Sequence, residues 1–382
     1  MKILYHHRTQ SMDGQAVHID EMIAALRALG HEVIVVAPAA TASFGANAGW
    51  SARLKRCLPR FSYELMELAY SLHAYRQLVK AVKLHRPDCL YERYNLFLPA
   101  GVWLKRRYGL PMLLEINSPI FEERARYDGL ALRRLARWSQ AYTWRSADFV
   151  LPVTAVLAGI VAAYGVDAWR IIVVPNGINS ERFGQPVDVA AAKRALGLQD
   201  ALVLGFTGFV RDWHGLDHVI ALLAAETTPA CHLLVVGDGP ARAALERQAR
   251  ALGVSAKLTF TGVVQRDDVA RHVAAFDIAL QPAVVAYASP LKLFEYLALG
   301  KAIVAPAQPN ITEILTHDAN ALLFDPGDAD GLRLALGALC ADAALRQRIG
   351  RQARATIAER GLTWRANAER AVGLFAEVAA HA

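Results

Sequence analysis

Short apolar runs alternate with helix-like patterns along almost the whole chain of 382 residues, and this alternation constrains the fold most. Strands that alternate with helices are typical of βαβ units and parallel sheets. The alternation therefore predicts an α/β protein. The earlier runs are KILYHH, HEVIVVAP, DCLYER and PMLLEI, and the later runs are ALVLGFTG, HLLVVGDG, KLTFTG, IALQP and KAIVAP.

The runs form two series, and the chain is longer than a single domain usually is. Pro, Asn-Gly and Ser cluster in VVPNGINSERFG, residues 173–184, which is typical of a connection between domains. We therefore expect two doubly wound domains in series, residues 1–178 and 179–363, with Asn176 and Gly177 in a turn at the join.

Composition indicates a globular protein, with 54% hydrophobic and 20% charged residues. The start MKILYHHR lacks a signal-peptide pattern, so we expect a cytoplasmic protein. Its four cysteines form no CxxC or zinc spacing, which favours buried thiols in a reducing compartment. The uncharged run 149–166 contains Pro152 and Gly159, so we interpret it as a strand followed by a short helix, not a membrane span.

Positive charge is concentrated in one part of the chain. The net charge is +7, yet residues 51–145 alone carry 18 Lys and Arg against 8 Asp and Glu. This excess indicates either a solvated basic face or attraction to anionic lipid headgroups or a phosphate-bearing acceptor. No nucleic-acid recognition motif accompanies it, so we do not expect a nucleic-acid partner. The residues at its centre are Arg53, Lys55, Arg56, Arg60, Lys105, Arg106, Arg107, Arg133, Arg134 and Arg137.

The segment SPLKLFEYLALGKAIVAP, residues 289–306, places a lysine where a helix should begin. Ser289 suits the N-cap, Pro290 the first helical position and Gly300 the residue past the end, so the pattern predicts a helix over 290–299. Lys292 then lies in the first turn, where the helix dipole disfavours a cation. A bound anion, such as a phosphate, would remove that conflict.

Glu295 lies three residues after Lys292, on the same face of the predicted helix. The two residues can hold a nucleotide, with the diphosphate at the lysine and the ribose hydroxyls at the glutamate, or they can form an exposed salt bridge. The helix follows the strand IALQP, and ligands of open α/β sheets bind at the carboxyl ends of strands. Its position therefore favours the nucleotide.

These segments, in this order, resemble the retaining glycosyltransferases of family 4. The resemblance covers nearly the whole chain and is carried by GHEVIVVAP, VVPNGINSERF, GFTGFVRDWHG, VVGDGP, SPLKLFEYLALGKAIVAP and LTWRANAERAV.

That resemblance implies the GT-B fold, with two Rossmann-like domains facing across a cleft and a C-terminal helix, 364–380, that packs back on the first domain. The second domain holds the donor, a UDP- or GDP-linked sugar, and the first holds a carbohydrate or lipid-linked acceptor of cell-surface glycan synthesis. It implies no metal and no other cofactor. With the basic region, it suggests a peripheral protein on the inner face of the cytoplasmic membrane.

The same resemblance implies the donor residues. Glu295 matches the second Glu of the family's Glu-x7-Glu motif, whereas Tyr287 occupies the position of the first. Phe209 and His214 stand where the family usually has Arg and Lys. Arg211 can take over the phosphate contact or be a surface arginine, and His214 can bond a phosphate or only the backbone. The other implied donor-binding residues are Ser289, Pro290, Leu291, Leu293, Gly208, Gly237 and Gly239, the last two through close approach of the backbone to the base.

The acceptor side is implied by fewer residues. Gly14 matches a glycine-rich loop near the diphosphate or forms a plain turn, and His18 is a ligand or a satisfied polar residue. Asn117 replaces a histidine that touches the donor sugar in many members, and its amide can bond to sugar hydroxyls. Glu123 lines the acceptor side or pairs with Arg124, and we favour the pair.

The mechanism implied needs no protein nucleophile. Lys292, Arg211 and the helix start would stabilise the charge on the departing diphosphate, with Asn117 near the sugar. Two alternatives stay open: a sugar-nucleotide epimerase on the same fold, and an inactive protein that binds a nucleotide sugar.

Overall fold

The computed structural model describes residues 1–10, 14–38, 59–225, 231–328 and 330–381, and the charges at 53–56 lie outside them. The chain forms two compact units. Unit 1 is Met1–Pro175 with Trp364–Ala382, and unit 2 is Asn176–Thr363. Each unit has its own parallel sheet, which confirms the predicted pair of α/β units.

The sheet of unit 1 has five parallel strands in the order β2-β1-β3-β4-β5. Tyr5 of β1 lies opposite Tyr91 of β3, and Tyr91 opposite Leu113 of β4. Because the strands are parallel, their carboxyl ends share one edge, where β1 ends in His6, β3 ends in Arg93 and Glu115 is the last but one residue of β4. The strands are β1 (Lys2–His6), β2 (Glu32–Val36), β3 (Cys89–Arg93), β4 (Met112–Ile116) and β5 (Phe149–Pro152).

Helices cover this sheet, and the last helix of the chain belongs to the same unit. The ring of Trp364 meets the imidazole of His18 edge to face at 4.7 Å. A π-helical turn, Arg124–Asp128, follows the short α4. The helices are α1 (Gly14–Ala28), α2 (Arg60–His85), α3 (Ala100–Tyr108), α4 (Ile120–Glu123), α5 (Arg133–Ser146), α6 (Ala155–Ala163) and, in unit 1 at the end of the chain, α16 (Trp364–Ala380).

The sheet of unit 2 has six parallel strands in the order β11-β10-β9-β6-β7-β8. The strand order reverses beside β6, so the carboxyl ends of β6 and β9 lie at a topological switch point, where ligands of such sheets bind. The sequence pattern did not indicate β11. The strands are β6 (Leu202–Thr207), β7 (Cys231–Val236), β8 (Leu258–Phe260), β9 (Ile278–Leu280), β10 (Ala302–Pro306) and β11 (Leu322–Phe324).

The helices of unit 2 pack on both faces of its sheet, with apolar clusters on either side. The predicted helix at 290–299 is present one residue shorter at each end. The helices are α7 (Ser180–Phe183), α8 (Val189–Ala195), α9 (Leu216–Ala224), α10 (Arg242–Ala251), α11 (Val269–Ala274), α12 (Leu291–Ala298), α13 (Pro309–Thr312), α14 (Gly331–Ala341) and α15 (Ala343–Glu359).

The structure also bears on the predictions for residues 149–166 and for the cysteines. Residues 149–166 form β5 and α6, and none of the helices in the described ranges is both long and apolar enough to cross a bilayer. Cys231 and Cys340, distant in sequence, lie with their Sγ atoms 3.4 Å apart, while Cys89 is buried elsewhere. Cys57 lies outside the described residues.

Candidate functional site

The start of α12 lies at the carboxyl edge of the unit 2 sheet, beside the end of β6. The Lys292 ammonium stands over the ring of Phe206, with Nζ 3.6 Å from the ring centroid. A Cβ added to Gly208, whose φ is +122°, would lie 3.6 Å from the same Nζ. The lysine therefore points across the end of β6 towards the backbone of Gly208, a residue without a side chain.

Burial lowers the pKa of Lys292 to about 7, although the charge of Glu295 acts to raise it. An aromatic face gives an ammonium only part of the stabilisation that water or a carboxylate supplies. The ammonium is thus held in a poorly solvated place. An anion bound against it would restore the stability of its charged form.

Glu295 lies on the next turn of α12. Burial raises its pKa to about 7, although the charges of Lys292 and Arg182 act to lower it. Among the described residues, Lys292 and Glu295 form no direct ion pair and interact only through their charges. The alternative of an exposed salt bridge between them is therefore not what the structure contains.

His214 lies near the same lysine, in the short helical turn that follows β6. Its Nδ1 accepts a hydrogen bond of 3.2 Å from the backbone N–H of Arg211, and its ring lies 5.0 Å from that of Phe206. Burial, with the charges of Lys292 and Arg211, lowers the pKa of His214 to about 2. The imidazole is neutral, and the backbone bond at Nδ1 leaves its proton on Nε2, where it can be donated.

The Arg211 guanidinium lies against two aromatic rings, 4.8 Å from the ring centroid of Phe209 and 4.9 Å from that of Trp213. Trp213 is 53% exposed, so the arginine lies at the rim of the site. The predicted phosphate contact of Arg211 stays a prediction. Its position is compatible with that contact and with a surface role.

The start of α12 differs from the predicted cap. Pro290 is the capping residue, and Ser289 is engaged elsewhere: its Oγ accepts the backbone N–H of Asn176 at 3.2 Å, and its carbonyl oxygen accepts the Asn176 amide. Asn176 and Gly177 do not form the predicted turn. The Leu293 N–H donates to the Pro290 carbonyl, and its side chain is in the core. Since Pro290 has no N–H, the backbone donors available from this segment are those of Leu291 and Lys292.

The glycines after β7 are required by the packing of two loops, and their predicted approach to the base stays a prediction. A Cβ on Gly237, whose φ is +140°, would lie 2.1 Å from the carbonyl oxygen of Gly208. A Cβ on Gly239 would lie 2.1 Å from that of Val210. These glycines let the loop after β7 pack against the loop after β6.

Sequence reasoning missed the residues that hold the loop between β9 and α12. The buried Asn310 amide donates to the carbonyl oxygens of Val285 and Ala288. The Tyr296 hydroxyl accepts the backbone N–H of Thr207 at 3.0 Å, so α12 is fixed to the end of β6. A polar residue inside an apolar stretch, such as Tyr296 beside Glu295, was the available signal.

The carboxyl edge of unit 1 holds a buried carboxylate with four donors, a cluster that sequence reasoning also missed. Glu115, 2% exposed, accepts from the Tyr91 hydroxyl and from His18 Nε2, each at 2.8 Å. Arg93 and the Asn117 amide donate to its other oxygen. Burial acts to raise the pKa of Glu115, but His18, Arg93 and the hydrogen bonds hold it well below its usual range.

A second buried pair lies beside it, where His6 Nδ1 is 2.6 Å from Glu92 Oε2. Burial lowers the pKa of the adjacent His7 to about 4, with His6 and Arg93 adding to the effect. The charged residues in YHH, YER and LLEI, within apolar strands, were the sequence signal for this edge.

The other acceptor-side predictions have mixed outcomes. Gly14 is the first residue of α1, and the residues before it, 11–13, lie outside the described part. His18 is bonded to Glu115, as a satisfied polar residue would be. Arg124 does not make the expected pair with Glu123, because its guanidinium bonds to Glu67 at 2.8 Å. The role of Glu123 stays a prediction.

In the described residues, no three His, Cys, Asp or Glu side chains come together in a way that could hold a metal ion. The candidate site of unit 2 is instead built from cationic and backbone donors: Lys292, the start of α12, Gly208, neutral His214 and Arg211. Such donors are suited to phosphate oxygens.

Two family models match consecutive parts of the chain. Glycosyltransferase Family 4 matches residues 12–182, and Glycosyl transferases group 1 matches residues 189–356. The chain belongs to the family 4 glycosyltransferases. The predicted family and enzyme class are thereby confirmed.

Relatives agree with this assignment. The D-inositol 3-phosphate glycosyltransferase of Kribbella flavida is 25% identical over 90% of this chain and 86% of its own length. The alpha-monoglucosyldiacylglycerol synthase of Streptococcus pneumoniae is 21% identical over 70% and 62%.

Among solved structures, Anabaena HepE in complex with UDP superposes with a TM-score of 0.78 at 19% identity, over 99% of this glycosyltransferase and all of HepE. HepE has also been solved with UDP-glucose. This similarity confirms the GT-B fold.

Proposed function

We propose that this glycosyltransferase transfers a sugar, with retention of its anomeric configuration, from a nucleoside-diphosphate sugar to a hydroxyl group. The acceptor proposed is a carbohydrate or lipid-linked precursor of a cell-surface glycan. The donor proposed is UDP- or GDP-linked, and the reaction proposed needs no metal ion.

One observation carries the proposal: the position of Lys292 at the start of α12. Its ammonium is poorly solvated, it faces the bare backbone of Gly208, and Arg211 and the helix dipole place more positive charge nearby. A group of like charges is unfavourable unless an anion binds. A diphosphate supplies that anion, and Glu295, one turn further on, can accept hydrogen bonds from ribose hydroxyls.

The same groups serve the chemical step. When the bond between the sugar and the diphosphate breaks, negative charge grows on the departing phosphate oxygen. Donors fixed in place before the reaction stabilise that charge without further reorganisation. Lys292 and the N–H groups of Leu291 and Lys292 take this part, and the neutral His214 can donate from Nε2.

Retention is supported by the family, and the residue at position 287 bears on the route by which it would occur. The motif's first glutamate is replaced by Tyr287, so this position supplies no carboxylate to act as a nucleophile. We propose that the acceptor hydroxyl attacks the face from which the diphosphate leaves. The anomeric configuration of the product, read from the proton coupling constant by NMR, tests this point.

A thermal-shift panel with UDP, GDP, ADP and CMP and their common sugar conjugates tests the donor site. A ligand at about a hundredfold its Kd should add roughly 2.7 kcal/mol to the free energy of unfolding. We expect one nucleotide to stand out, and release of that nucleotide from its sugar conjugate to continue in EDTA. No shift with any nucleotide would contradict the proposal.

The outcomes also separate the alternatives. Conversion of the donor sugar without any acceptor, and without release of nucleotide, would identify an epimerase. Tight binding without turnover of any conjugate, over a panel of sugar and glycolipid acceptors, would identify an inactive binding protein.

We further propose that unit 1 associates with an anionic membrane surface through the outer face of α5. Arg133, Arg134, Arg137, Trp138 and Arg145 are exposed on this helix, which contains no acidic residue. Arg133 and Arg134 occupy the first turn, where the helix dipole disfavours cations. A basic helix face that includes an exposed tryptophan suits a membrane interface. The pneumococcal relative is named for a lipid product, which supports a lipid-linked acceptor.

Flotation with vesicles tests this second proposal. Binding to phosphatidylglycerol vesicles, lost in high salt and absent with phosphatidylcholine, is expected. R133E/R134E should weaken it, whereas R247E/R250E, at two exposed arginines of α10 in unit 2, should have a much smaller effect. Equal effects of the two double variants would refute a role for α5.

A further inference from the structure

The Glu115 cluster of unit 1 fixes the orientation of one amide at the carboxyl edge of the sheet. An ionised carboxylate accepts hydrogen bonds and cannot donate them. The Asn117 amide therefore has to turn its Nδ2 towards Glu115, as the structure shows. Its Oδ1 is then directed away from the carboxylate.

The carboxylate itself is held firmly by the rest of the cluster. Tyr91, Arg93 and His18 are each less than 9% exposed and all donate to it, so both of its oxygens are used. With Asn117, the donors number four, which is about what two carboxylate oxygens can accept. Glu115 has no remaining capacity to bind a ligand directly.

Asn117, in contrast, is only half-buried. In the described part of the chain, the hydrogen bond to Glu115 is the single one that its side chain makes. The amide oxygen thus remains available as an acceptor, at the edge where parallel α/β sheets bind their ligands.

We infer that Glu115 is a positioning residue, which turns the Asn117 amide so that Oδ1 accepts a hydrogen bond from a hydroxyl of the sugar substrate. This inference rests on the proposed function for the identity of the ligand. It adds that the contact at Asn117 has a fixed direction, in which the protein accepts and the sugar donates.

Exchange of the carboxylate at position 115 and the amide at position 117 tests the direction of the hydrogen bond between them. N117D places a second carboxylate against Glu115, so it should be strongly destabilising and inactive. E115Q allows the introduced amide to donate to Asn117, which turns Oδ1 inward and removes the outward acceptor. In E115Q/N117D the glutamine amide donates to the new carboxylate, whose second oxygen again faces outward, and one negative charge stays beside Arg93.

Urea unfolding provides a readout that does not need activity. We expect E115Q/N117D to recover more than half of the midpoint lost in N117D. E92Q supplies the matched control, because Glu92 is an equally buried strand-end carboxylate that bonds to His6 rather than to Asn117. The effects of E92Q and N117D should therefore add. An equally additive result for E115Q and N117D would overturn the inference.

Release of UDP from UDP-glucose provides the second readout. N117A, N117D and E115Q should each lose at least tenfold in kcat/KM, and E115Q/N117D should return to within about tenfold of the wild type. Full activity in N117A, or a double variant that regains stability but not turnover, would refute the role of Oδ1. A wild-type protein that releases nucleotide from no sugar conjugate would instead refute the proposed function, and the unfolding experiment would then decide the orientation alone.

Discussion

The carboxyl edges of the two sheets hold ionisable side chains that are satisfied to very different degrees. In unit 1, Glu115 has four donors and one oxygen of Glu92 is bonded to His6, although the other oxygen of Glu92 has no hydrogen-bond partner among the described residues. In unit 2, Lys292 has an aromatic ring instead of a carboxylate, and the pKa values of Lys292 and Glu295 are both shifted to about 7.

This difference indicates which edge binds a charged ligand. A buried charge without a partner costs stability, and such groups persist mainly where a ligand supplies the partner. A cluster that is already satisfied gains little from a charged ligand, but it can hold neutral groups such as Asn117 in place. We therefore propose that unit 2 binds the diphosphate and that unit 1 orients a neutral sugar.

Replacement of Lys292 should have the largest effect. K292M should weaken UDP binding about a hundredfold, since truncating a partly buried charge contact usually costs 2–5 kcal/mol. The same change should raise the melting temperature of the free protein, because it removes a poorly solvated ammonium. Calorimetric titration with UDP and thermal unfolding without ligand measure the two effects.

Lys301 provides the matched control for that experiment. It is a buried lysine in the same unit, but its Nζ donates to the carbonyl oxygens of Ala274 and Phe276. K301M should lower the melting temperature and leave UDP affinity near the wild-type value. If both variants changed stability in the same direction, the contrast between paired and unpaired lysines would fail.

Removal of the Glu92 charge from unit 1, which His6 partners, should have the opposite effect on stability. E92Q should lower the free energy of unfolding by about 2 kcal/mol, because it weakens a buried hydrogen bond to a carboxylate. Affinity for UDP should stay unchanged, because Glu92 does not belong to the donor site. Chemical denaturation together with UDP titration measures this, and weaker UDP binding in E92Q would contradict the separation of roles.

The same contrast explains what the sequence could predict. Apolar runs and their order were enough for two parallel-sheet units, and SPLKLFEY was enough to place Lys292 at a helix start. The spacing of residues along one segment could not show that Ser289 bonds to Asn176, over a hundred residues away. Nor could it show that Gly237 faces the backbone of Gly208, or that Glu115 collects donors from β3 and α1. Those contacts depend on which strands are neighbours, which periodicity does not specify.

The pH dependence of UDP affinity should follow Lys292. Its pKa of about 7 is far below the ordinary value, so in the free protein the ammonium loses its proton as the pH rises through 7. Binding of the diphosphate then requires proton uptake, and Kd should rise by about tenfold per pH unit above 7. The phosphate of UDP is already ionised in this range. Titration from pH 7 to 9 measures the slope, and K292M should show a smaller slope, which comes from ionisation of Glu295. An unchanged wild-type Kd would mean that Lys292 does not contact the anion.

Replacement of Glu295 should have the smallest effect on ligand affinity. The effect should have two parts, which can be measured separately with different ligands. Above pH 7, where the Glu295 carboxyl is ionised, E295Q exchanges a charged acceptor for a neutral one, so binding of UDP should weaken threefold to tenfold. If the carboxylate contacts the 2′-hydroxyl, the difference in affinity between E295Q and the wild type should be smaller for 2′-deoxy-UDP than for UDP. Because the charge of Glu295 raises the pKa of Lys292, its removal should also move the onset of the pH dependence to lower pH. Pyrophosphate, which has no ribose, should report that shift alone. A loss of affinity for pyrophosphate as large as that for UDP, measured at the same pH, would show that Glu295 acts on the phosphate end of the site and not on the ribose.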